Sequence, residues 1–112
     1  MSKPKFDWWM EWKAAVRRYP SLRAWYETLP HYTYILSCED QRIYWAIQKA
    51  VEETAQRANG THRLKVVDLV LWKGTHTIAQ AAEAIPCSLP TAQRWHHDFL
   101  RLSAQHLGLL RP

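Results

Sequence analysis

The chain is short of the residues that staple, loop or cradle. Only 2 cysteines occur in 112 residues, Cys38 and Cys87, so no disulfide framework can hold the fold, and two thiols this far apart fit buried groups in a reducing cytosol. Glycine is nearly as scarce, at 3 residues, and none sits in a run that could wrap a phosphate. No apolar stretch approaches the ~20 residues that cross a bilayer. The basic start, Met1 to Lys5, leads into Phe6-Asp7-Trp8-Trp9-Met10-Glu11 and not into an apolar signal core, so neither a membrane nor an export route is expected.

Chemistry-bearing clusters are missing too. Six histidines, His31, His62, His76, His96, His97 and His106, show no paired ligand spacing, and a zinc site built from Cys87, His96 and His97 would lack the Cys-x-x-Cys or His-x-x-x-His signature. The carboxylates Glu27, Glu39, Asp40, Glu52 and Glu53 fit helix caps or solvated faces. No nucleophile stands in a recognised setting. The expectation is a protein without metal, cofactor or catalytic residues, and not an enzyme.

What is present is helix-forming and basic. The length suits one folded unit, and 7 tryptophans supply large buried areas to a small chain. Net charge is +5, with the excess spread over both sides of Gly60, which is compatible with a polyanionic partner without demonstrating one.

Apolar spacing predicts an all-α fold. Asp7 is placed to cap a first helix carrying Trp8, Trp12, Ala15 and Tyr19 on one face and ending at Pro20-Ser21. Ser21 then opens a short helix through Leu22, Trp25, Tyr26 and Leu29, and His31 to Leu36 reads as a connector. Ser37 with Asp40 resembles a capping box before the longest pattern, Ile43, Ile47, Ala50, Val51, Thr54 and Ala58, which Asn59-Gly60 closes. Thr61 is expected to cap a helix through Leu64 to Trp72, where β-branched residues make a strand the competitor. Gly74 stops it. The reading is therefore of aromatic-rich N-terminal helices and a long helix over residues 1–60, then a C-terminal trihelical helix-turn-helix region over residues 61–112.

That second region rests on Thr77 to Trp95. Thr77 caps a short helix in which Ala81 and Ala82 allow close approach by another helix, Pro86 stops it, and Ser88 caps a last helix with Pro90 in its first turn, running to about Leu107 before Gly108. Ala92, Trp95, Phe99 and Leu102 share one face; Pro90, Gln93, Arg94, His97 and Arg101 share the other. Such a corner presents the early part of its second helix to a DNA major groove about 12 Å wide. Arg94 can bridge guanine O6 and N7 and Gln93 can bridge adenine N6 and N7. Ser88, Leu89, Pro90 and Thr91 lie at the entering end, His97 and Arg101 farther along, and Lys73, His76 and Thr77 near the preceding helix's start, within reach of phosphates. Against this stands the plain reading of the same charges as a solvated helix face.

Residues 61–109 resemble region 4 of sigma factors and, more particularly, small phage late-gene transcription regulators of the ArpU/RinA type. The likeness lies in the apolar helix Leu64–Trp72, in Thr77-Ile78 opening a short helix with Ala82, and in Ser88, Thr91, Gln93 and Arg94 on a reading helix ending in Phe99-Leu100, Leu107 and Gly108. Tyr19-Pro20-Ser21-Leu22 adds a weaker likeness. Two departures stand out: Pro86 where the corner commonly has Gly, and Cys87 and Ala92 where β-branched residues are common. The resemblance implies a cytoplasmic protein of a bacterial or phage-infected cell that binds double-stranded DNA and acts with host RNA polymerase. A phage terminase small subunit, and a helical module whose Arg94 face meets an acidic protein, are the alternatives. Trp8 and Trp9 cannot share a face, so one is left exposed or covered by a partner. Self-association through the N-terminal helices, polymerase contact and plain exposure stay open for it.

Overall fold

The computed structural model describes residues 9–28 and 38–109. The expected Asp7 and Ser37 caps, Trp8, Leu29 and the 31–36 connector lie outside the described residues. Six helices follow in order: α1 (Trp9–Arg17), α2 (Tyr19–Thr28), α3 (Cys38–Ala55), α4 (Gly60–Val67, continued by a wider π turn over Asp68–Trp72), α5 (Ile78–Ala84) and α6 (Leu89–Leu107). The fold is all-α, with no strand among the described residues.

The break between α1 and α2 falls at Arg18, not at Pro20-Ser21 as the sequence suggested. Arg18 N–H closes a tight turn on Ala15 C=O at 3.0 Å, and α2 then starts at Tyr19 with Pro20 in its first turn. Proline is harmless there because a first-turn amide has no intrahelical acceptor to lose. Ser21 is thus inside the helix and caps nothing. Tyr19 and Leu22 face inward with Trp12 and Val16.

α3 buries the predicted Ile43, Ile47, Ala50 and Thr54, but it ends at Ala55 and leaves Ala58 exposed. The amides of Gln56 and Arg57 turn to the carbonyls three residues back, of Glu53 and Thr54, at 3.2 and 3.0 Å. Asn59 takes the left-handed conformation at φ 60° and precedes α4, so the expected Thr61 cap is displaced by two residues. The reason is steric. A Cβ on Gly60 would lie 2.5 Å from the Ala55 carbonyl oxygen and 2.6 Å from that of Thr54, so α4 can begin this close to the end of α3 only with glycine at the crossing.

The apolar run Leu64–Trp72 is helical, but its second half widens. Lys73 N–H reaches Asp68 C=O at 2.7 Å, a five-residue span that adds one residue to the turn. Widening lets one segment serve two cores: Val67 and Leu71 join α1, α2, α3 and α6, whereas Val66 and Leu69 join α5 and the start of α6. Gly74, at φ 64°, ends it.

The larger core gathers Trp12 and Val16 of α1, Tyr19 and Leu22 of α2, Ile43, Ala46, Ile47 and Ala50 of α3, and Phe99, Leu100, Leu102 and Ala104 of α6. It therefore runs across residue 60 and joins the two regions. The buried Trp12 indole N–H donates to Ser103 Oγ at 3.0 Å and to Leu100 C=O at 3.2 Å, and Trp72 Nε1 donates to Val16 C=O at 3.1 Å. These bonds satisfy indole donors that burial would otherwise leave unpaired. Gly60→Ala is expected to lower stability by roughly 1–3 kcal/mol, read as a lower urea midpoint; an unchanged midpoint would show that the α3–α4 approach is not constrained.

Candidate nucleic-acid interface

The smaller core builds the corner. Val66 and Leu69 pack against Ala81, Ala82 and Ile85 of α5 and Ala92 and Trp95 of α6, with Ile78 and Cys87 closing its edges. Three alanines at the crossing, each at most 4% exposed, let α5 and α6 approach backbone to backbone. The trihelical arrangement of α4, α5 and α6 expected from the sequence is the one observed.

Both helix starts are fixed by local hydrogen bonds. Gln80 N–H donates to Thr77 Oγ1 at 3.1 Å and Thr77 N–H donates to Gln80 Oε1 at 2.9 Å, a complete capping box. At the corner Cys87 N–H closes on Ala82 C=O at 3.0 Å. Ser88 Oγ then accepts from Thr91 N–H at 3.2 Å and donates to Thr91 Oγ1 at 2.7 Å. Gly108, left-handed at φ 95°, ends α6 with its N–H bonded to Ala104 and Gln105 C=O.

These bonds sort the residues picked out from the sequence. Thr77, Ser88 and Thr91 are engaged in capping, so the Thr77 amide is committed to Gln80 and the Ser88 hydroxyl is held by its own helix. Lys73 lies 3.3 Å from Asp68, and His76 Nδ1 is 2.8 Å from Thr75 Oγ1. His97 is exposed but backed by Trp9, their ring centroids 5.2 Å apart, which ties the start of α1 to α6. Trp9 is half-buried by this packing. Leu89, Pro90, Gln93, Arg94 and Arg101 project from α6 into solvent. Gln93, Arg94 and Arg101 have no hydrogen-bond or ion-pair partner among the described residues.

Pro90, Arg94, His97 and Arg101 recur at three- and four-residue intervals and share one stripe, with Gln93 on its flank. At 1.5 Å per residue, about 16 Å separates Pro90 from Arg101, more than the ~12 Å width of a major groove. An inserted helix would therefore hold Gln93 and Arg94 near base edges and Arg101 near the phosphate ridge. Around Arg101 the surface stays basic in a way the sequence did not reveal. Arg57, from the turn after α3, joins Arg101, Asp98 and Gln105 in lining a cleft of about 200 Å³. Asp98 is paired with Arg63 at 3.5 Å, whose guanidinium lies 5.7 Å from the Trp95 ring centroid. Nothing in the linear spacing links residue 57 to residue 101; only the packing of α3 on α6 does.

The three candidate zinc ligands point apart: Cys87 edges the smaller core, His97 faces Trp9, and His96 is buried. Among the described residues no group of three His, Cys, Asp or Glu side chains could hold a metal ion. His96, weighed in the sequence only as a zinc ligand, is a core histidine. It is 7% exposed, its Nε2 has no partner among the described residues, and burial pushes its pKa down to about 4, with Lys13, His97 and Arg17 adding repulsion. It is neutral at pH 7.

Because the folded value lies below the ordinary 6.5, the unfolded chain takes up this proton first. The stability contributed by neutral His96 is complete above about pH 6.5 and is lost as pH falls toward 4, by up to about 1.4 kcal/mol per pH unit. Urea melts of wild type and His96→Leu between pH 7 and 4.5 should diverge, with the variant less acid-sensitive; parallel curves would contradict this origin. Compared with known proteins, the chain matches no family model, no curated protein and no solved structure.

Proposed function

We propose that the chain is a sequence-specific duplex DNA-binding protein that regulates transcription, with α6 as its reading helix. The observation that carries this reading is the outward stripe of Arg94 and Arg101, unpaired among the described residues, with Gln93 beside it, on a helix whose opposite face is locked by Ala92, Trp95 and Phe99. A rigid helix with free bidentate donors on one side suits base-edge recognition, because little further ordering is needed on binding. Arg94 and Gln93 would read bases; Arg101, Arg57 and Lys73 would neutralise phosphates. The capped start at Ser88 keeps the first turn intact where it would enter the groove.

The resemblance to phage late-gene regulators extends this proposal to a promoter and to contact with host RNA polymerase through the front helices. Co-purification with polymerase would support that extension. Recovery of a viral packaging site among bound genomic fragments would instead support the terminase reading.

Binding to duplex fragments should be strongly salt-dependent. Arg94→Ala should weaken binding to the selected site by roughly 1–3 kcal/mol while leaving nonspecific affinity nearly unchanged, and Arg101→Ala should weaken all sequences alike and lower the salt slope by about one. Fluorescence anisotropy at several salt concentrations measures both. Absence of duplex binding at low salt would defeat the proposal in favour of an acidic protein partner for the same face.

A further inference from the structure

The outward face of α3 carries Arg42, Trp45, Lys49 and Glu52, all exposed, at intervals of three and four residues, and Gln56 in the turn after it continues the spacing. That spacing keeps one stripe of a helix facing a second helix along its whole length. No other described helix covers it. Trp45 stands half open at 50% exposure even though the fold braces its ring, edge-on against Tyr26 and Tyr44 at 5.8 and 5.1 Å. Beside it a groove of about 460 Å³ runs between α3 and the end of α6, with Arg42, Ala46, Lys49 and Leu107 in its lining.

The order of side chains on this stripe is self-complementary when reversed. Two copies of α3 laid antiparallel, with a two-fold axis level with Ile47, set Arg42 opposite Glu52 of the second copy and Trp45 opposite Lys49 of the second copy; symmetry repeats both pairs. Each layer then joins opposite charges or a cation and an indole face. A parallel pairing would instead oppose Arg42, Lys49 and Glu52 each to itself. Shifting the antiparallel axis to Lys49 would oppose the two lysines and leave Arg42 facing Gln56. The present partners of these groups hold them weakly: Arg42 is 3.5 Å from Glu39 and 3.3 Å from Leu107 C=O, and Glu52 accepts from Gln48 at 3.1 Å, all among exposed side chains.

We infer that this face is a homodimer interface, in which α3 pairs antiparallel with α3 of a second copy. The inference does not depend on DNA binding, since none of its residues lies on the α6 stripe. Sedimentation equilibrium of the full chain should show concentration-dependent dimers. Arg42→Glu and Glu52→Arg, each alone, convert two symmetry-related attractive pairs into like-charge pairs and should weaken dimerisation about tenfold or more. The double variant Arg42→Glu/Glu52→Arg restores opposite charges in swapped positions and should recover most of the loss, with circular dichroism confirming that all three variants fold. A monomeric wild type at every concentration, single variants that dimerise as well as wild type, or a double variant no better than the singles would each overturn the interface.

Discussion

One helix has to satisfy two cores at the same time, and the rest of the molecule is arranged around that demand. The first turns of α6 place Ala92 and Trp95 against α4 and α5, whereas its later turns place Phe99, Leu100, Leu102 and Ala104 against α1, α2 and α3. A nineteen-residue helix buried along so much of its length is left with one narrow outward stripe. The same burial that makes α6 rigid therefore also decides which of its residues face solvent. The widened turn Asp68–Trp72 answers the same demand from the other side, since it lets one apolar segment reach both cores.

The front helices consequently act on the proposed reading helix even though they lie far from it in sequence. Trp12 is bonded to the backbone and side chain of α6 at Leu100 and Ser103, and Trp9 rests on His97. Truncated or displaced front helices would leave the inward face of α6 exposed, including His96, whose Nε2 has no partner among the described residues. That coupling offers a physical route by which a partner bound to the front half could change the readiness of α6. Trp12 and Trp72 show the use of such rings: each packs in the larger core and ties separate helices together through its indole N–H.

Much of the fold was legible in the sequence because its signals are local. Thr77 with Gln80, Ser88 with Thr91, and Gly108 each act within one turn, and the apolar spacing of Ala92, Trp95, Phe99 and Leu102 belongs to a single helix. What escaped depends on neighbours remote in sequence. Pro20 is both a helix stop and a good first-turn residue, and only the closed turn at Arg18 selects the second. Gly60 reads as a stop until the nearness of the Thr54 and Ala55 carbonyls makes it the entry to α4. For the candidate site, Arg94 and Gln93 were visible as an outward pair, but the capping duties of Thr77 and Ser88, the Trp9 cover on His97 and the arrival of Arg57 beside Arg101 required the packing of α1 and α3 on α6.

The outward stripe of α6 is the proposed seat of duplex DNA. Backbone amide chemical shifts of the labelled protein, followed during titration with a selected duplex, test it most directly. Perturbations are expected from Leu89 to Arg101 and around the α5 start at Thr77, with α3 from Arg42 to Glu52 unaffected. Perturbations centred on α3, or none at a duplex concentration that saturates binding, would contradict it.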